Sequence, residues 1–152
     1  MTESVLIVGA GSGLSASLAR LCSSNGMKVV LAARDIEKLQ DLKKEIGANT
    51  IKCDATKIKS VTNLFKKTDK IIGVPNLVIY NPSKSLGGSI VDLDPQKAFE
   101  AINITSYGGF LVSQQSAKRM LKKKRGSIFF TGATASIKGF PKSSVFAMGK
   151  FG

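Results

Sequence analysis

The chain has 152 residues, enough for one domain and too few for two of ordinary size, and 43% of them are apolar, so a core can form. Its 23 lysines and arginines face only 10 acids, for a formal net charge of +13, and there is no histidine, which excludes an imidazole base and any histidine-held metal; no metal site is expected. No apolar run approaches the ~18 residues of a membrane span, so no membrane partner is expected.

In chain order, MTESVLIVGAG has no basic segment before its apolar run, which argues against a secretory signal and for a cytoplasmic protein. VLIVG (5–9) reads as a buried strand. Residues 13–25 follow as a helix, with Leu14, Leu18 and Leu21 at helical spacing. KVVLAAR (28–34) is a second buried strand. Asp35 suits the N-cap of a helix through Ile46, with Ile36, Leu39, Leu42 and Ile46 on one face. TIKCD (50–54) is a third strand, residues 57–67 a helix, and NLVIY (76–80) a fourth strand between Pro75 and Asn81-Pro82. Asp94-Pro95 opens a long helix to about Lys124. GSIFFTG (126–132) is a fifth strand, and residues 143–152 begin another helix. Cys22 and Cys53 read as reduced core thiols.

The strands are apolar throughout and alternate with helices. That pattern predicts an α/β protein, a doubly wound parallel sheet covered on both faces. We find no internal repeat or linker, and residues 1–152 read as a single dinucleotide-binding domain. The charge is lopsided. Residues 1–50 carry six basic and five acidic side chains, residues 51–152 seventeen and five. The densest cluster is Lys118, Arg119, Lys122, Lys123, Lys124 and Arg125. It reads as a solvated helix end rather than a nucleic-acid surface, because no aromatic residues interleave it.

The first strand runs into GAGSGLSAS (9–17). A glycine turn between strand and helix is an anion site: backbone N–H groups point outward, and the helix dipole favours a phosphate. Gly9 and Gly13 are spaced G-x-x-x-G, and Ser15 stands where a third glycine is expected. The second strand ends at Arg34, about twenty residues on, where an acid would bind a ribose 2′-hydroxyl and an arginine suits a 2′-phosphate. Arg34 therefore points to NADP, and Asp35 is assigned to helix capping. At the end of the third strand, Asp54 could accept from an adenine amino group or close a turn; both readings stand.

Taken together, these residues resemble the short-chain dehydrogenase/reductase family. The resemblance covers the whole chain: the G-x-x-x-G turn, Arg34, Cys53-Asp54, Asn81 after strand four, Asn103 in the long helix, the Gly126–Gly132 strand and FAMGK at 146–150, in order. It is closest to a divergent branch with TGATAS (131–136) after strand five and phenylalanine before the lysine. The resemblance implies a Rossmann-type sheet in the order 3-2-1-4-5 and an NADP(H)-dependent oxidoreductase acting on a carbonyl or alcohol as small-molecule substrate. It implies a homo-oligomer, with Phe99, Ile102, Phe110 and Leu111 available to the usual dimer surface. The implied cofactor-binding residues are Gly9, Ser12, Gly13, Leu14, Arg34, Asp54, Asn81 and Lys150.

The family's proton donor is a tyrosine, whose pKa a lysine lowers. A serine orients the carbonyl, and an asparagine holds a water of the proton relay. By position the lysine is Lys150 and the asparagine Asn103. Phe146 stands at the tyrosine position and Ala133, thirteen residues earlier, at the serine position. A phenylalanine can neither give nor take a proton. The alternative implied is a catalytically inactive NADP(H)-binding sensor or interaction subunit. Thr131, Thr134 and Ser136 are nearby but unactivated hydroxyls. Tyr107, four residues after Asn103, falls on the same helix face, yet packing in the core or at a helix contact is its expected role; Tyr80 is expected to pack in its strand. Asn81-Pro82-Ser83 replaces the family's N-A-G and adds bulk beside the ribose. Against the family's usual length the chain reads as truncated, with the rest of its last helix and two further strands missing.

Overall fold

The structure, a computed structural model, describes residues 2–152. Five strands, β1 (Ser4–Val8), β2 (Lys28–Ala33), β3 (Asn49–Lys52), β4 (Leu77–Tyr80) and β5 (Ser127–Phe130), form one sheet in the order β3-β2-β1-β4-β5. Every pairing is parallel, with Leu6 beside Val30 and Val78, for example. This is the expected order. The crossovers are helical: α1 (Leu14–Ser24), α2 (Gln40–Ile46), α3 (Ile58–Ile72), then α4 (Pro95–Ile102) and α5 (Gly108–Lys123) as one interrupted helix, and finally α6 (Ser144–Phe151).

Alternation along the central strands divides the core in two. Leu6, Val8, Val30 and Val78 pack with Phe65 of α3 and Val112 of α5. On the opposite face Val5, Ile7, Val29 and Leu31 pack with Ala16, Ala19 and Cys22 of α1 and Leu42 of α2. Of the α1 leucines at helical spacing, Leu18 packs against the core, but Leu14 and Leu21 are 53% and 60% exposed. The fully buried face of the helix is made of the small Ser15, Ala16, Ala19 and Cys22, which lets it lie close on the sheet.

Three other elements differ from expectation. Asp35 does not cap a continuous helix to Ile46. Its Oδ1 accepts the Glu37 N–H at 3.0 Å, starting a 3₁₀ turn (Glu37–Leu39), and α2 begins only at Gln40. The third helix runs past residue 67, because Val61, Leu64, Phe65 and Thr68 continue one buried stripe until Gly73 turns the chain at φ +72°. The long helix does open at Asp94, whose carboxylate accepts the Lys97 N–H at 2.8 Å, with Pro95 in the first turn. It is broken, however, by a π-turn over Asn103–Tyr107.

Of the residues expected on a dimer surface, Phe99 and Phe110 are exposed and Ile102 is half-buried, but Leu111 is buried in the core beside Val112. Strand β5 is one edge of the described sheet, with Phe129 and Phe130 58% and 59% exposed. In the basic cluster, Lys118, Lys122, Lys123, Lys124 and Arg125 are exposed around the C-terminal end of α5, where cations suit the dipole. Arg119 is the exception: it binds Asp69 of α3 at 2.9 Å and lies 5.0 Å from the Phe65 ring. The cysteines are free and buried, and burial raises both thiol pKa values. Among the described residues, no helix is long and apolar enough to cross a membrane.

Candidate functional site

In a parallel sheet the C-terminal ends of all strands share one edge, so the residues that follow each strand meet there. Gly9 follows β1, Arg34 follows β2, Asp54 lies just beyond β3, Asn81 follows β4 and Thr131 follows β5. A cleft of about 900 Å³ opens along this edge, lined by Gly9, Gly11, Arg34, Asp54, Asn81 and Ile104 among others. Four of the expected cofactor residues, Gly9, Arg34, Asp54 and Asn81, therefore converge on it. Ser12, Gly13 and Leu14 are exposed at the start of α1, continuing the turn from Gly11. Asn103 and Lys150 lie outside the cleft lining.

Gly9 turns the chain at φ +79°, and its N–H, with that of Ala10, donates to the Ala32 carbonyl. Pro82 sits directly against it: a Cβ at Gly9 would lie 2.6 Å from the Pro82 ring. The bulk expected beside the ribose is thus packed on the first glycine. Ser15 is buried, and its hydroxyl accepts the Gly11 N–H at 2.9 Å and reaches the Gly11 carbonyl at 3.3 Å. It closes the turn internally where a third glycine would leave that N–H free. The sequence clue was a hydroxyl four residues after Gly11.

Arg34 is exposed at the cleft and makes no hydrogen bond or ion pair among the described residues. Lys38, which sequence reasoning missed, lines the same end four residues on, the signal being i, i+4 spacing from Arg34. Asp54 closes a turn: Oδ1 accepts the Thr56 N–H at 3.0 Å and its hydroxyl at 2.7 Å. Burial opposes the charge on Asp54, but Thr56, then Lys57 and Arg34, hold its carboxyl below the usual value. A lowered folded pKa gives stability that is complete above the unfolded value and lost as pH falls through the folded one. Asp54→Asn should therefore flatten the acid limb of the melting profile below about pH 4, and leave it little changed in shape near neutrality. Melting curves from pH 2 to 7 check this; an unchanged acid limb would assign that limb to other carboxylates.

A hydrogen-bonded chain joins the two halves of the site. Asn81 Nδ2 donates to the Gly9 carbonyl at 3.3 Å, and its Oδ1 accepts from the Thr131 hydroxyl at 2.9 Å. The Lys150 ammonium donates to the Thr131 carbonyl at 2.7 Å. Burial lowers the Lys150 pKa from its ordinary value. Its Nζ also lies 5.9 Å from the centre of the Phe146 ring, so these two residues do share a helix face. Ala133 is exposed, and the hydroxyl of Ser136 is engaged with the Ala133 N–H at 3.0 Å.

Asn103 opens the π-turn, and its carbonyl accepts the Gly108 N–H. Tyr107 is exposed, neither in the core nor near the cleft lining, and stacks on Phe110 with ring centres 6.2 Å apart. Tyr80 is buried at the end of β4 as expected, and its hydroxyl donates to the Ile104 carbonyl. Burial, followed by Cys53 and Asp54, pushes its phenol pKa up, so it remains a protonated donor. Across the cleft, Lys84 pairs with Glu100 at 2.6 Å, a contact no sequence signal marked.

The family model for short chain dehydrogenases matches residues 3–152. A 3-oxoacyl-[acyl-carrier-protein] reductase from Bos taurus is 24% identical over 154 residues, covering 100% of this chain and 65% of the relative. An uncharacterized oxidoreductase from Staphylococcus aureus (strain USA300) is 31% identical over 144 residues, covering 92% and 61%. Among solved structures, a short-chain dehydrogenase from Rhodopseudomonas palustris superposes with a TM-score of 0.91 at 30% identity, covering 99% of this chain and 73% of that one. A variant of actinorhodin polyketide ketoreductase with NADPH gives a TM-score of 0.95 at 24% identity, with coverages of 99% and 60%. The chain thus spans 61–65% of the length of these two curated relatives.

Proposed function

Since the chain belongs to the short-chain dehydrogenase family, we propose that it binds NADP(H) along the cleft and serves as an oxidoreductase on a small carbonyl or alcohol. The observation that carries the cofactor reading is Arg34, exposed and uncommitted at the rim of the glycine-turn cleft, with Lys38 beside it. A planar guanidinium fits a 2′-phosphate by two parallel charge-assisted hydrogen bonds. The solved neighbour with bound NADPH agrees in fold with this choice. In this reading Gly9, Ser12, Gly13 and Leu14 cradle the pyrophosphate, Asp54 and Asn81 flank the adenosine and ribose, and Lys150 holds the nicotinamide ribose. The cofactor supplies the hydride; Asn103 and Lys150 are what remains of the protein's own proton-relay set.

Arg34→Ala tests the reading. Losing a charge-assisted contact costs about 1.5–3 kcal/mol, roughly tenfold to a hundredfold in affinity. NADPH binding, followed by nicotinamide fluorescence, should weaken by that factor while NADH binding stays almost unchanged. Equal losses for both cofactors would remove the phosphate assignment.

One observation favours a second reading, a noncatalytic NADP(H) sensor or interaction subunit: the positions that would touch a substrate oxygen are Ala133 and Phe146. Turnover of a panel of ketones and aldehydes with NADPH separates the two.

We further propose a homo-oligomer. Phe99, Tyr107 and Phe110 are exposed on the α4–α5 helix, and β5 presents a strand edge with apolar side chains, both of which invite a partner. Sedimentation should give a species larger than 16.1 kDa. A monodisperse monomer at tens of micromolar would be the contrary result.

A further inference from the structure

The break in the long helix has a local cause. In an unbroken α-helix the Gly108 N–H would donate to the Ile104 carbonyl, four residues back. Here it donates to the Asn103 carbonyl instead, five residues back. The Ile104 carbonyl is thereby released from the helix, and it accepts the hydroxyl of Tyr80, reaching across from the end of β4. A π-turn is rare and costs helix geometry, so something outside the helix has to favour it. The tyrosine hydroxyl is that group.

The fit around it is close. A methyl at Gly108 would overlap the Tyr80 hydroxyl, and one at Gly109 would press on Phe130 at 3.3 Å and on the Tyr80 ring at 3.5 Å. Two consecutive glycines let the buried tyrosine lie against the helix at the place where it breaks.

The turn touches each part of the site. Asn103 begins it. Ile104 lines the cleft. The Thr105 hydroxyl accepts the Lys84 N–H at 3.1 Å, which holds the cleft wall that follows Pro82. Gly149, next to Lys150 on α6, packs against the Thr105 side chain, where a Cβ would lie 2.9 Å from the Thr105 Cβ. So one turn sets a cleft wall, a relay candidate and the seat of the lysine helix.

We propose that Tyr80 is a positioning residue. Its hydroxyl, by holding the Ile104 carbonyl, fixes the π-turn and through it the places of Asn103, the cleft wall at Lys84 and the helix carrying Lys150. Tyr80 touches neither cofactor nor substrate in this role. The proposal needs only the geometry of the free protein; its cofactor arm rests on the NADP(H) reading above.

The experiment uses the chain with ¹⁵N and lysine ¹³C labels, as wild type, Tyr80→Phe, Gly108→Ala and the double variant. Amide exchange is followed at Gly108 and Lys84, and at Leu6 and Val30 of the central strands as a report on global opening. The Lys150 side-chain titration and NADPH affinity are measured alongside. In Tyr80→Phe, exchange at Gly108 and Lys84 should rise at least tenfold more than at Leu6 and Val30. The Lys150 titration should move back toward the ordinary lysine value as its seat loosens. NADPH should bind roughly tenfold more weakly. Gly108→Ala should do the same, and adding Tyr80→Phe to it should cost little more, because the methyl then takes the space of the lost hydroxyl. A uniform rise in exchange across turn and sheet with an unmoved Lys150 titration would reduce Tyr80 to core packing and overturn the proposal, as would unchanged exchange or strictly additive losses. Should wild type fail to bind NADPH, the cofactor reading falls, while exchange and titration still decide the role of Tyr80.

Discussion

Replacing Gly9 with alanine is expected to lower the melting temperature by about 10 °C and to abolish measurable cofactor binding at micromolar concentrations. Two costs add. The backbone at Gly9 has φ +79°, where an L side chain is strained by about 1–2 kcal/mol. The new methyl would also lie 2.6 Å from Pro82 Cγ, Cδ and N, and a proline ring cannot swing aside, so overpacking adds about 1–3 kcal/mol. At this chain length each kcal/mol moves the midpoint by roughly 2–4 °C. Relief has to come from moving Pro82 with its neighbour Asn81, which breaks the 3.3 Å bond to the Gly9 carbonyl and shifts the cleft wall. Gly11→Ala is the control: nothing lies within 4 Å of a Cβ there, so its midpoint should change by less than about 2 °C. Calorimetry on the two variants checks the contrast. Equal midpoints would mean that the Pro82 contact relaxes freely.

This dependence of Gly9 on Pro82 shows where the sequence was readable and where it stopped being so. The strands were legible because they are apolar along their whole length, and the glycine turn because a strand precedes it and a helix follows. From those came the parallel sheet and the glycine-turn site; the strand order and the part of Asn81 came through the family resemblance, and Gly9, Arg34, Asp54 and Asn81 do converge on one edge. The face of α1 was read only in part: Leu18 packs on the core, but leucine periodicity ignores how near the helix lies to the sheet, and the small Ala16, Ala19 and Cys22 fill the buried face while Leu14 and Leu21 stay outside. Asp35 has a good capping side chain, yet it closes a two-residue turn rather than a helix. The π-turn was invisible: its cause, Tyr80, is more than twenty residues away in sequence, and the only local trace is the pair Gly108-Gly109. Tyr107, expected in the core or at a helix contact, is exposed and stacks on Phe110 of its own helix. Asn81 was singled out as a cofactor residue, but nothing in the residue pattern marked that its side chain ties Gly9 to Thr131, and through Thr131 to Lys150.

Restoring two oxygens should restore chemistry. The double variant Ala133→Ser, Phe146→Tyr is expected to reduce simple ketones with NADPH at least a hundredfold faster than the unmodified chain, within the range a positioned proton donor contributes. The lysine half of the pair is already in place: Lys150 Nζ lies 5.9 Å from the Phe146 ring centre and is fixed by the Thr131 carbonyl at 2.7 Å. A hydroxyl on that ring would sit near the ammonium, and an adjacent positive charge lowers a phenol's pKa, bringing it nearer the working pH. The serine, exposed at residue 133 on the turn after β5, supplies a donor where negative charge develops on the substrate oxygen. Two readouts make the expectation strict. Ultraviolet titration of Phe146→Tyr should show one phenol ionising below the ordinary value of about 10, and Lys150→Met in that background should return it there. The rate gain should need both substitutions, since one positions the carbonyl and the other protonates it. A phenol that titrates normally would mean that the ring points its para carbon away from Lys150. A shifted phenol without turnover would mean that proton donation is not what this chain lacks, and the inactive, cofactor-binding reading would then be favoured.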